Sequence, residues 1–303
     1  MTASQISLGA AGRARPPVRR NMDMADLHHV TSRLMIYLLV ITVTCVVGFP
    51  LFWMVICSFK TSGELYQFPP AFLPHQWTFT NYRDLFVQTN FPIYFMNSLI
   101  VAGGATALSL VIGGLGAYSL SRFRFFGLGT FSLLTLICYM LPDVLLVIPL
   151  YIYVVKLGLV DTLLSLIIAN TAFTLPLTLW FMRSYFNAIP ASLEESAMID
   201  GCTRFQAMRR VTLPLALPGL VSVGVFTFNH AWNEFLFALV FTSSETNKVL
   251  SLGLATWIGQ DNIYSWGMLL AGAVLVTIPV VVFYLLVQRN LITGLSAGGV
   301  KGE

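Results

Sequence analysis

Charge is scarce in this sequence. Asp, Glu, Lys and Arg make up 10% of its 303 residues, against about a quarter of an average soluble domain. So few charges cannot cover a water-facing surface, which excludes an ordinary soluble fold. Cysteine is scarce as well. Cys45, Cys57 and Cys138 lie in or at the ends of apolar runs and Cys202 in a polar stretch; they form no disulfide framework and read as small hydrophobes. No Gly-x-x-x-x-Gly-Lys-Ser/Thr string occurs, so the chain has no P-loop to cradle nucleotide phosphates. The nearest dipeptide, Lys60-Thr61, has no glycines before it. His and Cys do not cluster at metal-ligand spacing and no nucleophile–base set stands out, so neither a metal centre nor a catalytic constellation is expected. Internal repeats and low-complexity blocks are absent too.

Long apolar runs take the place of charge. Hydrophobic residues amount to 56% of the chain and the mean hydropathy is +0.78. A bilayer core about 30 Å thick is crossed by about 20 apolar residues in a helix. Runs of that length predict spans over 34–59, 92–121, 126–155, 162–182, 215–241 and 264–287. A polar, proline-rich segment (61–91) separates the first two, and a polar loop (242–263) the last two. Glycines at 103, 104, 113, 114 and 116 mark the second span as one that packs closely on another helix. The fold class expected is an all-α polytopic membrane protein with six transmembrane helices.

With six spans, thirteen of the Lys and Arg residues fall on one side and Lys60, Arg83, Lys156 and Lys248 on the other. The positive-inside rule then puts both termini and the stretch 183–214 in the cytoplasm. The organisation expected is a basic tail (1–33) that does not read as a cleaved signal peptide, a membrane domain (34–287) and a short tail (288–303).

The stretch between the fourth and fifth spans carries the most information. From Pro190 to Pro214 it pairs Ser192 with Glu195 and Thr203 with Gln206, each spaced as a capping box. Gly201 lies between them, where a left-handed residue closes a helix. Two short helices joined by a glycine turn are predicted; alone they are too short to be stable, so they must dock on something. The order Glu195-Ser196-Ala197, Gly201, Val211, Leu213-Pro214 resembles the signature of ABC importer permeases, with Ser196 in place of an alanine. Further strings resemble the second permease of carbohydrate importers related to the maltose transporter: Asn81-Tyr82, Asn97-Ser98, Ala117 to Phe123, Pro149 to Tyr151, Trp232 to Phe235 and Gly294 to Gly302.

That resemblance implies the type I importer permease fold, in which 190–214 is a cytoplasmic coupling helix seated in a cleft of an ATPase. Glu194, Glu195, Ala197, Asp200, Gly201, Leu213 and Pro214 would form the coupling element. The partners implied are a homologous second permease, two ATPase subunits and an extracytoplasmic sugar-binding protein, within membrane lipid and with no nucleic acid. ATP and Mg would be used by the ATPase, with no cofactor or metal on this chain and no catalysis by it alone. By the same resemblance, Gly259, Gln260 and Asp261 would reach toward the binding protein.

Asp143 and Glu234 lie in otherwise apolar spans, where a charge costs roughly 2.5–3.5 kcal/mol on insertion scales. Asn229, His230, Asn233 and Glu234 follow helical spacing on one face. With Asp143 they are candidates for a polar wall of the substrate path, although helix–helix hydrogen bonds would produce the same pattern. Trp232, Trp257 and Trp266 suit either a sugar face or an interfacial belt. An ion- or proton-coupled carrier relayed by Asp143 and Glu234, and an intramembrane enzyme, are the rival classes.

Overall fold

The computed structural model describes residues 24–259 and 266–299. The chain divides into two compact units, Met1–Trp53 and Met54–Glu303. In the first unit the described residues belong to helix α1 (Met24–Ser58), whose last turn lies in the second.

In the second unit, α2 (Ser62–Leu65) and α3 (Thr80–Gln88) lead to the long α4 (Phe91–Arg122). Next come α5 (Leu128–Tyr139), α6 (Asp143–Lys156) and α7 (Leu163–Ala188). After these, α8 (Ala191–Ile199) and α9 (Arg204–Ala207) run into a π-helical turn, Met208–Thr212, and α10 (Leu213–Leu215). Last are α11 (Leu217–Asn233), α12 (Leu236–Phe241), α13 (Leu250–Gly259) and α14 (Trp266–Gly299). Among the described residues, four helices are long and apolar enough to cross a membrane: 32–58 within α1, α4, α7 and 266–288 within α14. Two bent pairs pass the same test jointly, α5 with α6 at 102° and Arg204–Leu215 with α11 at 72°, giving up to six.

The third predicted span is therefore not one rod. It stops at Tyr139 and restarts at Asp143 after Pro142 in an extended conformation; a proline biases the residue before it away from helix. The fifth breaks at Glu234, whose ψ of 130° leaves the helical region, before α12 begins. The fourth span runs past Arg183 to Ala188. In the tail predicted after residue 287, α14 continues to Gly299.

The stretch 242–263, expected to be a polar loop, contains α13, with Leu250, Leu252 and Trp257 buried. Between Lys248 and Asp261 it carries no charge, and that apolar run is too short to span but long enough to fill a core. Asn97 anchors its approach, donating from Nδ2 to the carbonyls of Thr246 and Lys248 at 2.8 Å. Ser98 Oγ accepts the Leu250 amide at 2.8 Å.

Packing of α4 on α7 is the main helix–helix contact. A Cβ on Gly104 would stand 2.9 Å from Ile167, and one on Gly116 2.7 Å from Leu179. At Gly113 it would overlap the fully buried Thr178. Ser109 and Thr174 share a 2.7 Å hydrogen bond across the same seam. Small residues with a polar bond are how helices associate where lipid gives no hydrophobic drive. Gly113→Val should therefore cost about 1–3 kcal/mol by overpacking. The check is the unfolding midpoint in detergent, with Gly103→Val, where nothing lies within 4 Å, changing it least.

Candidate functional site: the 190–214 segment and the broken-helix cluster

The segment 190–214 folds into the predicted pair of short helices, with one change of detail. Helix α8 starts at Ala191 after an extended Pro190, which offers no side-chain cap. Ser192 therefore sits inside the first turn, and the Ser192–Glu195 capping box does not form. The Thr203–Gln206 box does: Gln206 N donates to Thr203 Oγ1 at 3.3 Å, and Thr203 N to Gln206 Oε1 at 2.8 Å.

Between the two helices Gly201 has φ +92°. Cys202 N donates to Ala197 O at 3.0 Å and Gly201 N to Met198 O at 3.1 Å, the paired bonds of a Schellman closure. Two signature residues, Ala197 and Gly201, thus serve one turn. Leu213 and Pro214 have a different local role. Pro214 cannot donate to the carbonyl four residues back, and the Leu213 amide bonds to Met208 five residues back. A π-turn results, of the kind frequent at functional positions.

The two adjacent glutamates point opposite ways. Glu195 is exposed, with Asp200 and Gly201. Glu194 is 5% exposed. Its Oε1 takes Arg122 Nε at 2.7 Å and Thr212 Oγ1 at 2.5 Å, and its Oε2 takes Tyr118 Oη at 2.8 Å. Burial alone would raise the Glu194 carboxyl, but these donors from Thr212, Arg122 and Tyr118 hold it below the usual carboxylate range. A lowered folded value means that the pairing adds stability at neutral pH, which is lost as pH falls through that value. Arg122 is satisfied in turn by Phe186 O at 2.9 Å and Ile189 O at 3.0 Å, carbonyls at the C-terminal end of α7.

Facing outward are large apolar side chains that the sequence reading did not single out: Ile199 (86% exposed), Phe205 (64%) and Leu193 (44%). With the exposed charges of Glu195 and Asp200 they form an apolar, charge-flanked outer face. In the sequence, the signal was an apolar residue in a segment too polar to span.

The second cluster lies where the two broken spans meet. Asp143 opens α6, and Glu234 caps α12, accepting Phe237 N at 2.6 Å and Ala238 N at 3.2 Å. Both carboxylates meet helix N-termini, where negative charge is favoured. Asp143 is close enough to interact electrostatically with both His230 and Glu234. The His230 ring stacks on Phe173 at 4.5 Å, and its buried Nε2 has no partner among the described residues. Asn229 and Asn233 are exposed and bonded to each other at 3.1 Å.

Structure thus places Asp143 of α6 near His230 and Glu234, while Asn229, His230 and Asn233 share α11, which ends before Glu234. Trp232 and Trp257 are buried core residues rather than exposed faces, while Trp266 is exposed. Of the three residues expected to reach outward, Gly259 ends α13, and Gln260 and Asp261 lie outside the described residues. No group of three or more metal-binding side chains occurs among the described residues.

Residues 107–295 match the family described as binding-protein-dependent transport system inner membrane component. The chain belongs to that family. A 41% identical relative is the inner membrane ABC transporter permease YcjP of Escherichia coli, aligned over 92% of this chain and 100% of its own. The trehalose/maltose permease MalG of Thermococcus litoralis is 36% identical over 90% of this chain and 99% of its own. Among solved structures, a bacterial ABC transporter that imports alginate superposes with a TM-score of 0.73 at 25% identity. It covers 87% of this chain and 97% of its own. These bear out the all-α permease fold and the resemblance to carbohydrate importer permeases, and they give no support to a secondary carrier.

The permease's Gly201 is the sharpest test of the 190–214 segment. A Cβ there meets nothing within 4 Å, so Gly201→Val costs only the left-handed backbone, about 1–2 kcal/mol. The variant should insert in the membrane but bind an ATPase subunit poorly or hydrolyse ATP without uptake; Glu195→Ala should be milder. Normal transport by Gly201→Val with the ATPase fully bound would remove the coupling role.

Proposed function

We propose that this permease forms half of the translocation pore of a binding-protein-dependent ABC importer for a sugar or sugar derivative. One observation carries this reading: a short helix pair, with large apolar side chains on its outer face and Glu194 buried at its base, is suited to dock on another protein, in a sequence that carries no P-loop string. Relatives named for trehalose/maltose and for diacetylchitobiose uptake support the sugar class.

The second pore half would be a homologous permease. Two ATPase subunits would hydrolyse ATP with Mg, and an extracytoplasmic binding protein would deliver the sugar, with Gly259, Gln260 and Asp261 near its contact. Both termini and the 190–214 segment would face the cytoplasm. ATP-driven closure of the ATPases would move α8 and turn the pore outward. Asp143, Asn229, His230, Asn233 and Glu234 would line the path, where polar groups at two helix breaks can exchange hydrogen bonds with passing hydroxyls.

The isolated permease should neither bind nor hydrolyse ATP; activity should appear only with the ATPase subunit and rise with loaded binding protein. Saturable ATP binding by the isolated chain, or uptake driven by an ion gradient without ATP, would sink the proposal. For the path, Glu234→Gln and Asp143→Asn should lower uptake by about tenfold, the size of one or two lost hydrogen bonds, while the complex stays assembled. Wild-type uptake by both would leave these carboxylates as helix caps alone.

A further inference from the structure

We infer that Glu194 and Arg122 form a buried hub that makes α8 move as one body with α4, α7 and the entry to α11. On this inference, which rests on the coupling reading above, Glu194 is a positioning residue that never touches the ATPase.

The argument starts from how α8 is attached. It has nine residues, too few to hold a helix unaided. Its chain connections are weak at both ends: Ile189 and Pro190 are extended, and Gly201 turns through the left-handed region. A helix between two such joints, pushed on its outer face, would swing before it transmitted force. Something other than the main chain must stiffen it.

Only one charged pair joins α8 to the helix bundle among the described residues, and it is placed for that task. Side-chain exposures are 9% for Arg122 and 6% for Glu194. Through the carboxylate, α8 is tied to Tyr118 and Arg122 at the end of α4 and to the fully buried Thr212 in the π-turn. The guanidinium carries the tie to the last carbonyls of α7. Four elements thus meet on two side chains.

Stability alone does not account for this chemistry. A buried ion pair is often no better than a well-packed apolar pair of the same volume. What it adds is geometry: a planar fork and a carboxylate, each with its partners used, admit few arrangements. Glu195, one residue on, carries the same charge outward into solvent, so charge at the docking surface does not require Glu194.

The test uses the complete transporter in proteoliposomes: this chain, its second permease, the ATPase pair and the binding protein. Glu194→Gln and Arg122→Lys should still assemble with bound ATPase and hydrolyse ATP, but uptake per ATP should fall about tenfold, within the roughly 5–150-fold of typical site-to-site coupling. Thr212→Val, which removes one hydroxyl and leaves the ion pair, should shift the same ratio less. A direct readout of stiffness is the distance distribution between spin labels on exposed Ser119→Cys and Ile199→Cys, with the native cysteines replaced. It should be narrow in the parent and broad with Glu194→Gln.

An unchanged ratio and an unchanged distribution in assembled variants would overturn the hub. So would loss of uptake only in proportion to lost subunits, since that is a purely structural role. If the unsubstituted complex shows no ATP- and binding-protein-dependent uptake, the proposed function falls and the hub with it. Transport by the parent at an unaltered ratio in Glu194→Gln overturns the hub alone.

Discussion

Inside a bilayer there is no water to take up a free backbone carbonyl or amide, and each one left unpaired costs several kcal/mol. This molecule breaks its helices at several places, so its architecture depends on how each break is closed. Arg122 takes the carbonyls ending α7. Asn81 donates to Ser58 O and Lys60 O at 2.8 Å where α1 ends, and Asn97 does the same for Thr246 and Lys248. Glu234 collects the amides opening α12, and Asp161 those of Ser243 and Ser244. In this way a handful of polar side chains fixes where the apolar rods stop and turn. The weak sequence strings Asn81-Tyr82 and Asn97-Ser98 gain a physical meaning here: they are carbonyl clamps at chain reversals.

The same accounting explains what was legible in the sequence. Rods were readable because hydropathy and length suffice: α4 lies within one residue of both predicted limits, and α7 starts within one of its own. The Gly201 turn and the Thr203–Gln206 box were readable because each depends on residues within a few positions. The kinks at Pro142 and Glu234 were not, because a continuous apolar run gives no sign that a distant carboxylate or a neighbouring helix will accept the freed groups. Helix α13 was missed for a related reason. Its ten residues are too few for a span, and the tether that holds it, Asn97-Ser98, lies about 150 residues earlier in the chain. Ser192 shows the limit of local pattern: a correct spacing fails when the helix begins two residues sooner.

Glu194 and Glu195 show how position on a helix separates two tasks that the sequence merges. Successive residues on a helix are about 100° apart, since 3.6 make a turn, so adjacent carboxylates cannot both face the same surface. The inner one finds a guanidinium and two hydroxyls, and those donors offset what burial would do to its charge. The outer one remains hydrated and free to meet another protein. An element that must be gripped on one side and read on the other needs this division. A nine-residue helix can provide it because the grip is side chain to side chain, while its joints at Pro190 and Gly201 leave its outer face unobstructed. On the proposed coupling role, docking and force transmission would therefore rest on different atoms, and a change to one would leave the other intact.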